Sequence, residues 1–239
     1  MHCLRRAALL AAVCGLSASV PSLAVTTLEA GYGSRLEMAL NSGDRSGLST
    51  LFGPELQERF QRRYDRFAAE FPQASWNVDW LSPMPDGRPR MRVSVNGVGR
   101  SDGLLYRLQG SQTLAVSLDA GVMRAEELLD EQSLLRSGAE RLPVSVRIPA
   151  EVRTGTRFDI DVVIEEPLGP AVLAGGLVQL TDEQHANQIR PSIQLEPLAG
   201  GGLFKRVQAP QVPGVQTWAV MLVHPDGVVT TTKRVRVTP

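Results

Sequence analysis

The stretch RMRVSVNGVGRSDGLLYRLQGSQTLAVSLDAGVMRAEELL, residues 90–129, decides the fold. Its apolar residues alternate with polar ones, and two short glycine-containing segments interrupt the alternation. The pattern predicts a meander of three antiparallel strands: Arg90–Gly99, Leu104–Leu118 and Val122–Leu129. Such a meander has one apolar face and is not stable alone, so it needs a second layer packed on that face.

That second layer is predicted just upstream, where apolar residues recur at helical spacing. A helix is expected within residues 26–43, a short helix capped by Asp44 within residues 44–52, and a long helix from Glu55 to Phe71. The long helix carries an apolar stripe of Leu56, Phe60, Tyr64, Phe67 and Phe71. A stripe at this spacing favours core packing over a ligand-binding function. Gly110, near the middle of the second strand, is expected to mark a bulge or bend.

Helix, short helix, long helix and then a curved antiparallel sheet resembles the nuclear transport factor 2-like superfamily, whose α+β cone fold is also called cystatin-like. The resemblance covers about residues 26–137. It is carried by Ala39–Asp44, Leu48–Phe52, Tyr106-Arg107-Leu108 and Gln112-Thr113-Leu114. The superfamily contains ketosteroid isomerase-like enzymes, dehydratases and many non-catalytic binding or dimerising domains. The resemblance therefore implies a pocket but does not choose between catalysis and binding.

Beyond residue 143 the apolar period changes to two, and seven short strands are expected with no helix. This pattern predicts a small β-sandwich. The half resembles an immunoglobulin-like or fibronectin type III-like domain on the segment Gly214–Trp218, although Gln216 stands where that fold usually has a tyrosine. Trp218 is expected in the core of the sandwich.

The predicted fold class is therefore α+β: N-terminal helices packed on a curved antiparallel sheet, followed by an all-β immunoglobulin-like sandwich. The predicted divisions are a signal peptide at 1–24, the cone domain at 25–137, a linker at 138–142 and the sandwich at 143–239.

The first 24 residues have the pattern of a secretory signal peptide. Arg5-Arg6 forms the basic region, Ala7–Leu16 the short apolar region, and Ser22-Leu23-Ala24 the cleavage site. We therefore expect an exported protein, periplasmic or extracellular. Both cysteines, Cys3 and Cys14, lie in the signal, so no disulfide or cysteine–metal site is expected in the mature chain.

Charge and hydropathy exclude several classes of partner. The chain has 25 Lys and Arg residues against 25 Asp and Glu residues, with no block of one sign. Nucleic-acid binding is therefore not expected. Beyond the signal no apolar run is long enough for a membrane span.

Candidate site residues were sought inside the predicted cone. Residues 25–184 contain no histidine, which removes the commonest general base. Glu127 shares a strand face with Met123, and a two-residue turn at Asp119-Ala120 would place it opposite Gln112. A three-residue turn would instead send Glu127 outward, because one residue of slip reverses every side chain. The candidate pocket residues are Trp80, Tyr106, Gln112, Glu127 and Tyr64.

The two histidines of the mature chain, His185 and His224, are predicted near loops of the sandwich without other ligands at metal-binding spacing. No metal and no cofactor are expected. Asp159 and Asp161 alternate on a strand, and an outward-facing strand side explains them as well as a calcium site does.

The function expected from the sequence is an exported, non-catalytic binding protein. Its first domain would supply a small apolar pocket or a dimer surface, and its sandwich a partner-binding or spacer module. The partner would be a small apolar ligand or another protein, and a homodimer through the first sheet is predicted. The alternative is an isomerase or dehydratase that uses Glu127 as a buried carboxylate.

Overall fold

The structure is a computed structural model that describes residues 27–101, 103–138, 142–165, 171–187, 189, 191–198 and 200–239. The predicted signal peptide and residues 139–141 of the predicted linker lie outside the described residues. No helix in the described ranges is long and apolar enough to cross a membrane.

The described residues form four helices and twelve strands. The helices are α1 (Thr27–Ser42), α2 (Arg45–Leu51), α3 (Pro54–Glu70) and α4 (Asp182–Ala186). The first strands are β1 (Gln73–Leu81), β2 (Arg90–Ser101), β3 (Leu104–Asp119) and β4 (Val122–Ser137). The remaining strands are β5 (Val144–Arg147), β6 (Glu151–Arg153), β7 (Arg157–Ile164), β8 (Leu173–Leu180), β9 (Glu196–Leu198), β10 (Gly202–Gln208), β11 (Gly214–His224) and β12 (Gly227–Thr238).

Local sequence signals place the first three helices. The Asp44 carboxylate accepts hydrogen bonds from the backbone N–H groups of Ser46 and Gly47, at 3.1 and 3.0 Å, and so caps α2. Pro54 occupies the first turn of α3, where a missing N–H costs nothing. The predicted long helix is thus confirmed within one residue at each end.

The meander is confirmed, with one difference. β2 and β3 match their predicted ranges closely, but β4 runs eight residues further than predicted, to Ser137. No glycine or proline interrupts the chain between Leu129 and Gly138, which adopts a positive φ of 116°. The second half of β4 is the segment that joins the two halves of the molecule.

The predicted α+β cone fold followed by a separate sandwich is wrong. The described part of the chain is mostly β, with 55% of its residues in strands and 22% in helices. β4 pairs antiparallel with β12, from Val228 opposite Ser137 to Lys233 opposite Gln132. One nine-stranded sheet, here called the large sheet, therefore runs in the order β1-β2-β3-β4-β12-β11-β8-β9, with β6 beside β12. The physical reason is that β4 would otherwise leave a long edge of unpaired backbone groups, which β12 satisfies.

Two clusters of buried residues flank this sheet. One combines Tyr32, Leu36, Leu48 and Leu51 of α1 and α2 with Met91, Leu114, Val116 and Met123 of β2, β3 and β4. The other lies between the large sheet and a small sheet of order β10-β7-β5, and it includes Phe158, Ile160, Val162, Leu222 and Val235. This second half is a β-rich, sandwich-like structure, as predicted. Its exact domain boundaries stay a prediction, since the large sheet crosses the predicted linker.

The register of β3 on β4 matches neither predicted alternative. Ala120 and Gly121 form the turn with positive φ values of 48° and 75°, so Asp119 pairs with Val122. Two register shifts follow, between Ser117 and Leu118 and between Thr113 and Leu114, rather than a bulge at Gly110. As a result Gln112 lies opposite Glu131, and Glu127 lies opposite Ala115.

Candidate functional site

A cavity of about 980 Å³, here called the central cavity, lies between α3, the large sheet and the segment around α4. Its lining comes from both halves of the chain. The N-terminal half contributes residues of α3, β2, β3 and β4, and the C-terminal half contributes Leu180, His185, Ile189, Ile193 and Met221. The site is therefore complete only when β12 is paired with β4.

Aromatic rings from α3 and β1 form one wall of the central cavity. Phe60 stacks on Phe52 with ring centroids 4.1 Å apart, and Tyr64 lies 6.3 Å beyond Phe60. Phe67 and Trp76 continue the wall, with centroids 4.9 Å apart. Phe60, Tyr64 and Phe67 are only half-buried. The aromatic stripe predicted to fill a core thus largely borders open space.

The polar end of the central cavity is built on Glu131 of β4. Gln112, its cross-strand partner on β3, donates a hydrogen bond from Nε2 to one carboxylate oxygen. His185 of α4 reaches the other oxygen through Nε2, at 2.5 Å. Both oxygens of this carboxylate, whose side chain is 18% exposed, are therefore engaged.

Burial and hydrogen bonding oppose each other at Glu131. Burial raises the pKa of this carboxyl, but the hydrogen bonds from His185 and Gln112 lower it. The nearby charges of His185 and Arg63 act in the same direction as those hydrogen bonds. The net result is a pKa below the usual value, so Glu131 is ionised at neutral pH. An ionised carboxylate only accepts hydrogen bonds, so Nε2 of His185 carries a proton; in the neutral form of the ring, Nδ1 is then the acceptor.

Local contacts hold α4 over the cavity. Thr181 and Gln184 form a capping box: the Gln184 backbone N–H donates to Thr181 Oγ1 at 3.1 Å, and the Thr181 N–H donates to Gln184 Oε1 at 2.9 Å. Arg66 of α3 donates to the backbone carbonyl of Asn187 at 2.6 Å. The prediction of no helix beyond residue 143 is therefore wrong. The Thr-x-x-Gln signature at 181–184 was the signal that would have found α4 and placed His185 on it.

Three of the five predicted pocket residues line the central cavity: Tyr64, Tyr106 and Gln112. The Tyr64 hydroxyl donates to the backbone carbonyl of Leu40 at 3.0 Å, and burial raises the pKa of that hydroxyl. Trp80 lies elsewhere, with its indole Nε1 against α1, where a Cβ on Gly33 would come within 2.7 Å of it.

Glu127 is not a buried carboxylate. Its side chain is 55% exposed and accepts a hydrogen bond from Arg88 Nη1 at 2.6 Å. The turn at Ala120-Gly121 and the two register shifts together give Glu131 the cavity position that one predicted register assigned to Glu127. Sequence reasoning missed Glu131 because the shifts follow from strand packing and no turn residue marks them.

His224 and Asp159, the other polar residues considered from the sequence, lie away from the central cavity. His224 precedes the β11–β12 turn, and its Nδ1 accepts a hydrogen bond from the Asp226 backbone N–H at 3.3 Å. Asp159 pairs with Arg206 on the exposed side of the small sheet. Within the described ranges, no group of three or more His, Cys, Asp or Glu side chains could hold a metal ion.

These features define a mostly β protein with a partly aromatic cavity at the joint between its two halves. Residues 139–238 match the sequence profile of a family described as a domain of unknown function (DUF8623). No curated protein matches the chain. The matched region contains His185 but begins after β4, the strand that carries Glu131, so the family profile covers only one side of the central cavity.

Proposed function

We propose that the protein binds an amphipathic small molecule in the central cavity. The single observation that carries this proposal is a cavity of about 980 Å³ with an aromatic wall and one polar end. Ligand sites in proteins usually have about 300–1,000 Å³, mostly apolar walls and a few convergent polar groups. The half-buried rings of Phe60, Tyr64 and Phe67 gain burial when a ligand covers them.

The polar end favours a ligand with a hydroxyl or carbonyl group. Both oxygens of Glu131 are engaged by His185 and Gln112, and the charge of nearby Arg63 is opposite to that of the carboxylate, so this end does not present a free ionic group to a ligand. The free acceptor on His185 suits a hydroxyl donor. The aromatic wall suits rings or branched hydrocarbon on the remainder of the ligand.

Binding is tested with N-phenyl-1-naphthylamine, a neutral apolar probe whose fluorescence rises in dry cavities. We expect a saturable signal with the wild-type protein. Leu108→Trp places an indole in the cavity and should weaken binding at least tenfold, because Leu108 lines it. Val212→Trp, at a residue that is 71% exposed, is the matched control. Equal binding by both variants contradicts the proposal.

A second candidate function, proton-transfer catalysis, is favoured by the pairing of His185 with Glu131. In such a reaction Nδ1 of His185 would remove a proton from carbon next to a carbonyl group. Glu131 would hold the ring in the required tautomer and stabilise the imidazolium that forms. The enzyme alternative predicted from the sequence lacked this base, since it used Glu127.

The test is exchange of the α-protons of 2-tetralone, a ring ketone, in heavy water, followed by NMR. Catalysis predicts that His185→Gln lowers the exchange rate by about 10²–10⁴ while displacement of the naphthylamine probe by 2-tetralone is unchanged. If exchange in the wild type equals the buffer rate although 2-tetralone displaces the probe, the protein binds and does not catalyse this reaction.

We further infer export and a homodimer from the sequence features described above. Secreted protein with an N-terminus at Val25 would support cleavage of the signal, and a retained Met1 would contradict it.

The homodimer is tested by sedimentation at tens of micromolar protein, an order-of-magnitude choice for weak dimers. A monomer at this concentration would contradict the dimer. We also propose that residues 143–239 form a β-sandwich of the immunoglobulin-like type.

A further inference from the structure

A second cavity, of about 610 Å³ and here called the rear cavity, lies on the opposite face of the large sheet. Successive side chains of a strand point to opposite faces. Glu131 and Thr230 line only the central cavity, and their chain neighbours Asp130 and Thr231 line only the rear one. Four residues of the sheet border both cavities: Ser111, Gln132, Ser133 and Thr232. The β4–β12 pairing thus separates two cavities of different character.

A buried ammonium group lies at the rear cavity. Lys233 is 7% exposed, and its Nζ donates to Asp130 Oδ1 at 2.7 Å and to Gln132 Oε1 at 3.4 Å. An ammonium group has three hydrogens to donate. Two are used by these partners, so one donor remains for a molecule in the cavity.

Arg92 adds a second cation from β2. It is exposed, lines the rear cavity, and makes no hydrogen bond or ion pair with the residues that the structure describes. Asp79, its cross-strand neighbour on β1, instead accepts a hydrogen bond from Asn77 at 2.6 Å. Of the charged side chains lining the cavity, Arg92 and Lys233 face a single carboxylate, Asp130. The Arg92 guanidinium is therefore left without a hydrogen-bonding partner among the described residues and is available to a molecule in the cavity.

We propose that the rear cavity binds a small organic carboxylate. Arg92 supplies a planar fork of donors that matches a carboxylate, and Lys233 supplies a fixed point charge. The Ser94 and Ser111 hydroxyls also line the cavity. The opposite wall is aliphatic, formed by Val144, Val146 and Ile148. That wall suits a short hydrocarbon chain, which distinguishes an organic carboxylate from an inorganic anion.

The test is an NMR titration of the full chain with sodium butyrate, sodium phosphate and the neutral isostere butyramide. We expect saturable shifts with butyrate at amides lining the rear cavity, at least tenfold weaker binding of phosphate, and none of butyramide. Arg92→Gln should weaken butyrate binding at least tenfold. Arg147→Gln, an exposed arginine on β5 that does not line the cavity, is the matched control.

Several outcomes would overturn this proposal. They are the absence of saturable butyrate shifts up to 100 mM (roughly the limit of weak binding), equal effects of the two arginine substitutions, and equal binding of butyramide. Phosphate binding as tight as butyrate binding would also overturn it, since the aliphatic wall would then contribute nothing. Binding of the naphthylamine probe in the central cavity is measured separately, so the two proposals fail independently.

Discussion

His185 Nε2 and Glu131 Oε2 lie 2.5 Å apart, although the two residues are separated by 54 positions and belong to different halves of the chain. The contact joins a short helix to a strand of the large sheet across the mouth of the central cavity. Gln112 holds the second oxygen of the same carboxylate. This three-residue group is the feature on which both candidate functions depend.

The first prediction concerns Glu131 and pH. Its pKa is lowered below 4.5 in the folded protein, so its ionised form stabilises the fold above about pH 4.5. That stabilisation is lost as pH falls through the lowered pKa. Glu131→Gln should therefore reduce the free energy of unfolding by roughly 1–2 kcal/mol at pH 7, because it loses charge-assisted hydrogen bonds. Urea unfolding should be measured from pH 7 to pH 3. The difference in free energy of unfolding between Glu131→Gln and wild type should narrow below about pH 4.5.

Glu127→Gln is the control on the same strand. Its carboxylate is 55% exposed and pairs with Arg88 at the surface, so little change in stability is expected at any pH in the series. A constant difference in the free energy of unfolding between Glu131→Gln and wild type down to pH 3 would show that folding does not lower the pKa of Glu131.

The second prediction concerns two glycines in α1. A Cβ on Gly33 would lie 2.7 Å from Trp80 Nε1, whereas a Cβ on Gly31 would meet nothing within 4 Å. Alanine is a better helix former than glycine by about 1 kcal/mol. Gly31→Ala should therefore raise the melting temperature and Gly33→Ala should lower it. If both substitutions shift the melting temperature in the same direction, the packing of Trp80 against α1 is contradicted.

The third prediction concerns the ion pair at the joint of the halves. Asp130→Asn leaves the Lys233 ammonium buried without a carboxylate. Breaking a fully buried pair costs about 3–5 kcal/mol, but the Asp130 side chain is 34% exposed, so we expect roughly 2 kcal/mol. Asp159→Asn is the control, because Asp159 forms an exposed ion pair with Arg206. It should change the free energy of unfolding, measured by chemical denaturation, only slightly. If the two substitutions lower the free energy of unfolding equally, the ion pair between β4 and β12 is exposed to solvent.

The fourth prediction concerns Trp218 of β11. The residue is partly buried against the cluster between the two sheets. Trp218→Ala should lower the free energy of unfolding by roughly 3 kcal/mol, the low end of the range for this change, because part of the ring is exposed. Val215→Ala on the same strand, at a residue that is 39% exposed, should have a much smaller effect in calorimetry. An unchanged melting temperature for Trp218→Ala would contradict its packing.

Much of the local structure followed from patterns in the sequence. The apolar stripe from Leu56 to Phe71 predicted α3, the cap at Asp44 predicted the start of α2, and alternation predicted the strands of the meander. Three of the five candidate pocket residues, Tyr64, Tyr106 and Gln112, line the central cavity. These signals are readable because each depends on residues only a few positions apart.

The carboxylate and the histidine of the site were not predicted, for two physical reasons. The turn at Ala120-Gly121, instead of Asp119-Ala120, and two register shifts between β3 and β4 together placed Glu131, rather than Glu127, opposite Gln112. Such irregularities relieve the packing of long strands and leave no fixed residue signature. His185 was assigned to a loop of an independent domain, because α4 is too short to show helical periodicity.

Periodicity and turn chemistry in the chain were enough to specify α3, the meander and the strand-rich second half. The pairing of β4 with β12, and with it the contacts of His185 with Glu131 and of Lys233 with Asp130, was decided only on folding. The latter two residues lie 103 positions apart. An open strand edge can be satisfied by any suitable strand, so the choice among partners rests on how whole layers pack.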